Sequence, residues 1–267
     1  MFKTCVKWLF FTSQMTDNLV VCAVTSDAID KAQRLARRLD LPFNSAPHYA
    51  PISLMVSAED VSYKHPNFVT PFRVNFTNGP IAARISRGLT KREPLVKALA
   101  LDPLRPSHIL DATAGFGRDA MLIARYGQQI TMLEKHAVIH ELLADGLSRA
   151  FEQDEFCNLF TYPPDLIHSL AQQYLVAADK PVDVIYLDPM YPRRNKNLKV
   201  KKESQILQLL SKDMEHEDDH TDLLTWACSL ARKRVVVKRP SWAEPLTKSL
   251  PTTAIYNQNT RYDVYIV

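Results

Sequence analysis

The chain has 267 residues, 46% of them hydrophobic and 23% charged, which suits a soluble globular protein of one large α/β domain, or a standard domain with a smaller one. Its net charge of +4 favours anionic partners such as nucleic acid without identifying one. The four cysteines have no C-x-x-C spacing, and the apolar run WLFF (8–11), interpreted as part of a core strand, is too short for a bilayer; we therefore expect no zinc site, no membrane segment and a cytoplasmic location.

The first part of the chain mixes short strand-like runs with one helical segment. DAIDKAQRLARRLD (27–40) places its apolar residues on one helical face, with Asp27 as the expected N-cap. ISLMV (52–56) and FVTPFRVNF (68–76) are predicted strands, and prolines punctuate the region. The sequence predicts a small α+β subdomain over residues 1–80.

Strands and helices then alternate, which predicts right-handed crossovers and a mostly parallel sheet over residues 81–267. AIYNQNTRYDVYIV (254–267) predicts an antiparallel hairpin at the sheet edge, giving seven strands in all. The other five predicted strands are HILDA (108–112), QITMLE (129–134), NLFTY (158–162), VDVIYLD (182–188) and RVVVK (234–238).

A glycine turn follows the first of these strands and opens a helix. In DATAGFGRDA (111–120), Gly115 and Gly117 allow a sharp turn and let a ligand approach the backbone closely. Glu134 ends the next strand, where a carboxylate can accept hydrogen bonds from both ribose hydroxyls of a nucleoside. The segment therefore predicts a cofactor that contains a nucleoside.

Two cofactors fit this turn. GFGRDA matches G-x-G-x-x-A, so a dinucleotide such as NAD is one candidate. S-adenosylmethionine is the other, and Asp119 favours it because a carboxylate in the first helical turn repels a pyrophosphate. Arg118 beside it weakens that argument, so the turn alone leaves both open.

The apolar run VIYL (184–187) ends in Asp188-Pro189-Met190-Tyr191, where the prolines force the chain out of the sheet. The Asp188 carboxylate and the Pro189 carbonyl offer two acceptors for the two N–H groups of an exocyclic amine on a nucleobase. Tyr191 offers a ring on which an extruded base can stack. The run predicts methyl transfer to a base amine, with Asp188, Pro189 and Tyr191 as the catalytic residues.

D-P-M-Y-P resembles the [D/N]-P-P-[Y/F] motif of amino-group methyltransferases, with Met190 in place of the second proline. Five segments together resemble, in the same order, the bacterial 16S ribosomal RNA guanine-N2 methyltransferase family called RsmJ. They are DATAGFGRDA, MLEKH, YLDPMYP, VVVKRP and RYDVY. The resemblance covers about residues 70–267; residues 1–65 match poorly.

This resemblance implies a Rossmann-like class I methyltransferase fold with S-adenosylmethionine as cofactor and no metal. It implies the N2 amine of a guanine in 16S ribosomal RNA, free or in the small ribosomal subunit, as the substrate. The cofactor contacts it implies are Arg118, Asp119, Glu134, Lys135 and Asp188, with His168 and Ser169 near the adenine. Asp111, Gly115 and Gly117 of the glycine turn complete the expected cofactor-binding residues.

A basic run, PRRNKNLKVKK (192–202), follows the catalytic residues directly. Its position at the expected mouth of the site predicts phosphate contacts, because backbone phosphates dominate RNA affinity. The RNA-binding candidates are Arg193, Arg194 and Lys196, together with Lys238 and Arg239 at the end of the fifth strand.

Three other functions stay open from the residues alone. An amino methyltransferase acting on another RNA or on DNA would use the same D-P-M-Y chemistry. A nicotinamide oxidoreductase would need the glycine turn but not D-P-M-Y. A catalytically inactive RNA-binding ribosome-assembly protein would have no need to retain Glu134 and Asp188.

Overall fold

The structure is a computed structural model of the chain. It describes residues 19–45, 50–176, 182–190, 202–211 and 219–267. The predicted strand at 8–11 lies outside these residues.

A mixed four-stranded sheet with the order β2-β1-β3-β4 forms the first part of the described chain. β1 pairs in parallel with β2 and β3, and β4 pairs antiparallel with β3. The strands are β1 (Leu19–Ala23), β2 (Phe43–Asn44), β3 (Ile52–Val56) and β4 (Val61–Lys64), with helix α1 (Ile29–Leu39) between β1 and β2. The predicted strand at 52–56 is confirmed at both ends.

The helix prediction in this region is confirmed, but its N-cap is wrong. A 3-10 turn over Ser26–Ala28 precedes α1, so Asp27 lies within that turn. Ala28 occupies the N-cap position, without a side-chain bond to the helix.

The predicted strand at 68–76 is also wrong. Phe72 forms only an isolated bridge with Tyr63. Pro71 has no N–H to donate, which prevents a continuous ladder at this point. Phe72, Val74 and Phe76 are nevertheless buried. The alternation of apolar residues over 72–76 therefore predicted the buried side chains correctly, but it did not predict the backbone pairing.

A seven-stranded sheet with the order β10-β11-β9-β8-β5-β6-β7 forms the second part. Strands β5 to β9 are parallel, and β10 and β11 form the antiparallel hairpin at the edge. The strands are β5 (His108–Asp111), β6 (Gln129–Glu134), β7 (Asp165–His168), β8 (Val182–Leu187), β9 (Ala231–Pro240), β10 (Thr253–Tyr256) and β11 (Thr260–Ile266). The predicted fold class is confirmed, and β8 lies beside β5 as expected.

Helices cover both faces of this sheet, as β8 illustrates: Val184 and Tyr186 join one apolar cluster, while Ile185 and Leu187 join the other. Such burial on both faces explains why the strand is a continuous apolar run. The helices are α2 (Gly79–Arg87), α3 (Pro94–Leu99), α4 (Arg118–Arg125), α5 (Ala137–Phe151), α6 (Asp154–Cys157), α7 (Ala171–Val176), α8 (Lys202–Ser211) and α9 (Asp219–Leu230).

The third parallel strand was predicted at 158–162, and this is wrong because the strand is β7, closer to the C-terminus. Phe160 instead packs against Phe151 and Phe156, with ring centroids 5.1 and 5.2 Å away. A short aromatic run looks the same whether it fills a core corner or a strand. As a consequence, His168 ends the strand itself.

The two sheets share one continuous apolar cluster. It contains Val21 and Leu54 from the first sheet and Ile109 and Met132 from the second. At the contact, a Cβ on Gly146 of α5 would lie 2.7 Å from the Cβ of Val74, so only glycine admits this close approach. The domain boundary at residue 80 stays a prediction.

Candidate active site

A cavity of about 710 Å³ opens at the carboxyl ends of β5, β6 and β8. Ligands of open α/β sheets bind at this edge. The cavity brings together many of the predicted site residues from separate parts of the chain. Its lining includes Asp111, Gly115, Arg118, Asp119, Glu134, Lys135, Asp188, Pro189 and Lys238.

The glycine turn forms the floor of the cavity at the start of α4. Gly115 and Gly117 have φ values of +53° and +69°, a region that side chains disfavour. A Cβ on Gly117 would also lie 2.9 Å from Leu143 Cδ1. The backbone N–H of Ala114 donates to the Leu133 carbonyl at 3.0 Å, which ties the turn to β6.

Glu134 is held rigidly at the end of β6. Its Oε2 accepts from the Gly115 N–H at 2.9 Å, and its Oε1 accepts from the His136 N–H at 2.8 Å. Each oxygen keeps a lone pair, so both can still accept a ribose hydroxyl. Burial raises the pKa of Glu134 to about 7, although the two N–H donors oppose that rise.

Thr113 ties the ends of β5 and β8 together. Its Oγ1 accepts from the Asp188 backbone N–H at 2.6 Å. Its own N–H donates to Asp111 Oδ1 at 3.1 Å, and burial raises the pKa of Asp111 well above its usual value. Sequence reasoning missed Thr113; the available signal was a hydroxyl two residues beyond a strand-ending aspartate.

Lys238, which lines the cavity, bridges two carboxylates. Its Nζ lies 2.8 Å from Asp119 Oδ2 and 2.8 Å from Asp188 Oδ2. The Tyr186 hydroxyl donates to the same Asp119 oxygen at 2.6 Å. Asp188 keeps 39% of its side chain exposed and lines the cavity.

The pKa directions follow from this arrangement. Burial opposes the charge on Lys238, but the two carboxylates raise its pKa well above the usual value. Burial likewise favours neutral Asp119, yet Lys238 lowers the Asp119 pKa through its charge and hydrogen bond, helped by Tyr186. The pKa of Asp188 is raised, mainly by burial, although Lys238 acts against this.

Arg118 and His136 also line the cavity. Arg118 forms a salt bridge with Glu203 of α8, which joins the start of α4 to the helix opposite it. His136 caps α5 by accepting from the Val138 N–H at 3.2 Å, and its ring also bonds to the backbone of Leu210. Burial lowers the His136 pKa to about 4, so the ring is neutral at pH 7.

His168 and Ser169 lie beside the cavity but are not among the residues that line it. His168 Nε2 is 3.1 Å from the Lys135 carbonyl, and its ring centroid is 5.2 Å from that of His140. The Ser169 N–H donates to the Glu134 carbonyl at 3.2 Å. Their contact with the adenine stays a prediction.

The predicted RNA-binding residues fall into three groups. Arg193, Arg194 and Lys196 lie outside the described residues, as does the predicted catalytic residue Tyr191. Lys238 is occupied by the two carboxylates. Arg239 is only 4% exposed and donates to the Glu244 carbonyl at 2.8 and 3.1 Å, which leaves little of its side chain accessible to RNA.

A family model described as "Putative SAM-dependent methyltransferase" matches residues 34–267. Ribosomal RNA small subunit methyltransferase J of Thioalkalivibrio sulfidiphilus is 38% identical over 91% of this chain and 95% of its own. The protein of the same name from Colwellia psychrerythraea is 36% identical over 95% and 94%. The chain belongs to this methyltransferase J family. The resemblance seen in five sequence segments is therefore confirmed, and the match to the family model begins at residue 34, within the region 1–65 whose motifs match poorly.

A solved structure of a similar protein supports the same assignment. The crystal structure of an SAM-dependent methyltransferase from Neisseria gonorrhoeae superposes with a TM-score of 0.72 at 29% identity, covering 93% of this chain and 95% of its own. S-adenosylmethionine is accordingly the cofactor, as predicted, and not NAD. The residues present suit it, because the buried Glu134 presents two carboxylate oxygens to the same cavity as Gly115 of the glycine turn.

Among the described residues, no group of three or more His, Cys, Asp or Glu side chains is arranged to hold a metal ion. None of the helices within the described ranges is long and apolar enough to cross a membrane.

Proposed function

We propose that this enzyme transfers a methyl group from S-adenosylmethionine to the exocyclic N2 amine of a guanine in 16S ribosomal RNA. One observation carries the chemistry: the Asp188 carboxylate, followed by Pro189, lines the same cavity as Glu134 and the glycine turn. The names of the relatives support ribosomal RNA of the small subunit as the substrate. The guanine N2 amine is the target that the sequence resemblance implies.

The Asp188 carboxylate and the Pro189 carbonyl would accept hydrogen bonds from the two N–H groups of the target amine. When bound, S-adenosylmethionine supplies an activated methyl group. The amine is a poor nucleophile because its lone pair is conjugated with the ring. Acceptors on both N–H groups hold the amine toward the cofactor and make that lone pair available. The hydrogen bond from the Asp188 backbone N–H to Thr113 Oγ1 fixes the backbone from which this carboxylate projects.

The direct test uses ribosomal RNA from a strain that lacks this gene. Purified protein and isotopically labelled S-adenosylmethionine are added to free 16S RNA and to small subunits, and the nucleosides are mapped by mass spectrometry. We expect one N2-methylguanosine in at least one of the two substrates. Methyl incorporation at another atom, or none in either substrate, would contradict the proposal.

The basic run should act on RNA and not on the cofactor. Neutralising Arg193, Arg194 and Lys196 together should weaken RNA binding and flatten its salt dependence, because fewer counterions are released. Affinity for S-adenosylmethionine, measured by calorimetry, serves as the control and should not change. An unaltered slope of log affinity against log salt would show that the run is a solvated surface.

Tyr191 is expected to act through its ring. Tyr191→Phe should have a mild effect on methyl transfer and Tyr191→Ala a severe one, because base–aromatic stacking contributes about 1 to 3 kcal/mol. Single-turnover rates of the two variants at saturating cofactor make the comparison. Equal losses in both would assign the role to the hydroxyl and exclude stacking.

A further inference from the structure

Lys238 reaches the catalytic aspartate because of strand register. β9 lies beside β8, and Leu187 pairs with Val237, so Lys238 stands level with Asp188 one position further along. From there its Nζ meets the Oδ2 atoms of Asp188 and Asp119, each at 2.8 Å. The ammonium therefore spends two of its three donors on these carboxylates.

We propose that Lys238 is a positioning residue: it holds one oxygen of Asp188, leaves the other for the target amine, and allows Asp119 and Asp188 to be charged side by side. The inference rests on the proposed function, in which Asp188 accepts an amine N–H. It gives Lys238 a different task from the phosphate contact expected from sequence. A lysine engaged in this way, with 27% of its side chain exposed, has little freedom to reach for RNA.

The groups around Asp188 make its charged state depend strongly on Lys238. The carboxylates of Asp119 on α4 and Asp111 on β5 both act electrostatically on this site, as do the hydroxyls of Tyr186 and Tyr262. Arg84 on α2 also lowers the pKa of Asp119 through its charge, but it is paired with Glu93 at 2.8 Å.

Removal of Lys238 would leave the Asp119 and Asp188 carboxylates without the cation they share. Two carboxylates sharing a site do not both ionise readily, and one of them takes up a proton. A protonated Asp188 loses acceptor capacity toward the amine. The loss should be greatest at low pH and should diminish as pH rises.

Three variants test this role: Lys238→Met, Lys238→Arg and the double variant Lys238→Met/Asp119→Asn. The acidic limb of the kcat–pH profile, measured at saturating cofactor and RNA, should move up by about one pH unit or more in Lys238→Met. Adding Asp119→Asn should move the limb back down, because the competing charge is gone. Lys238→Arg should stay near the wild-type limb.

The melting temperature as a function of pH gives the same comparison without substrate. A carboxyl group whose pKa is raised stabilises the fold at low pH and loses that contribution as pH rises through its folded value. Lys238→Met should therefore lose more stability than wild type between about pH 5 and pH 8, and the double variant should lose less than Lys238→Met.

The outcomes are distinguishable. An acidic limb and a stability–pH curve that are both unmoved in Lys238→Met would overturn the positioning role. Weaker RNA binding with a flatter salt slope and an unmoved limb would overturn it in favour of a phosphate contact. A wild-type protein that does not methylate 16S RNA would contradict the proposed function instead, while the stability curves would still decide the pairing of the carboxylates.

Discussion

Replacing Asp188 by alanine is expected to abolish methyl transfer while the protein stays folded. The backbone N–H that bonds Thr113 is retained in the variant, so the ends of β5 and β8 stay joined. The side chain, in contrast, is the proposed acceptor for the target amine. Losing one preorganised polar group at a reacting centre costs about 100-fold or more in kcat.

Asp188→Asn should keep weak activity, because its amide oxygen can still accept one N–H. Asp183→Ala is the matched control: Asp183 lies near the start of β8, away from Asp188, where it accepts from the His108 N–H at 3.1 Å and pairs with Lys233. Rates at saturating cofactor, together with circular dichroism, make the comparison. Full activity in Asp188→Ala would remove D-P-M-Y from the chemistry.

Glu134→Ala is expected to weaken S-adenosylmethionine binding by roughly 1 to 3 kcal/mol, the cost of losing buried hydrogen bonds to a charged group. This corresponds to about a 5- to 160-fold rise in Kd. Glu155→Ala, an exposed carboxylate on α6, provides the control and should bind normally. Unchanged affinity in Glu134→Ala by calorimetry would remove Glu134 from the site.

The raised pKa of Glu134 predicts opposite effects of pH on cofactor affinity and on the stability of the ligand-free protein. Cofactor affinity should fall as pH drops below about 7, because a protonated Glu134 accepts fewer hydrogen bonds. Stability of the ligand-free protein should change in the other direction: since the folded pKa lies above the usual value, the contribution of Glu134 is present at low pH and is lost as pH rises through about 7.

Glu134→Gln isolates this effect, because it removes the titration and keeps the shape. Between about pH 5 and pH 8, the melting temperature of wild type should fall relative to that of Glu134→Gln. Parallel curves for the two proteins would show that Glu134 does not titrate in this range.

The parallel strands were predictable where burial on both faces leaves an uninterrupted apolar run. β6 begins and ends at the predicted residues, and β8 differs from its prediction by one. The errors at 68–76 and 158–162 share a cause, since both segments bury aromatic side chains in the core without forming a ladder. The alternation of apolar residues and the aromatic content of a segment indicate which side chains are buried. Whether the backbone of that segment joins a sheet depends on the strand that lies beside it.

The part of the site that lies at the ends of strands was predictable. Gly115, Glu134 and Asp188 each end or follow a strand, so their meeting at one edge follows from parallel topology alone. Lys238 was predicted at this edge of the sheet, but its salt bridges with Asp119 and Asp188 were not predicted. Its pairing with Asp119 depends on strand register and helix placement, and the two residues are 119 apart in sequence.

The apolar cluster shared by the two sheets has a consequence for how the enzyme tolerates change. Since Leu54 and Ile109 belong to one core, neither sheet can be removed without exposing the apolar face of the other. The described parts of both sheets should therefore melt together as one cooperative unit. An exchange of the N-terminal segment between relatives would succeed only if the residues facing Gly146 and its neighbours were exchanged with it.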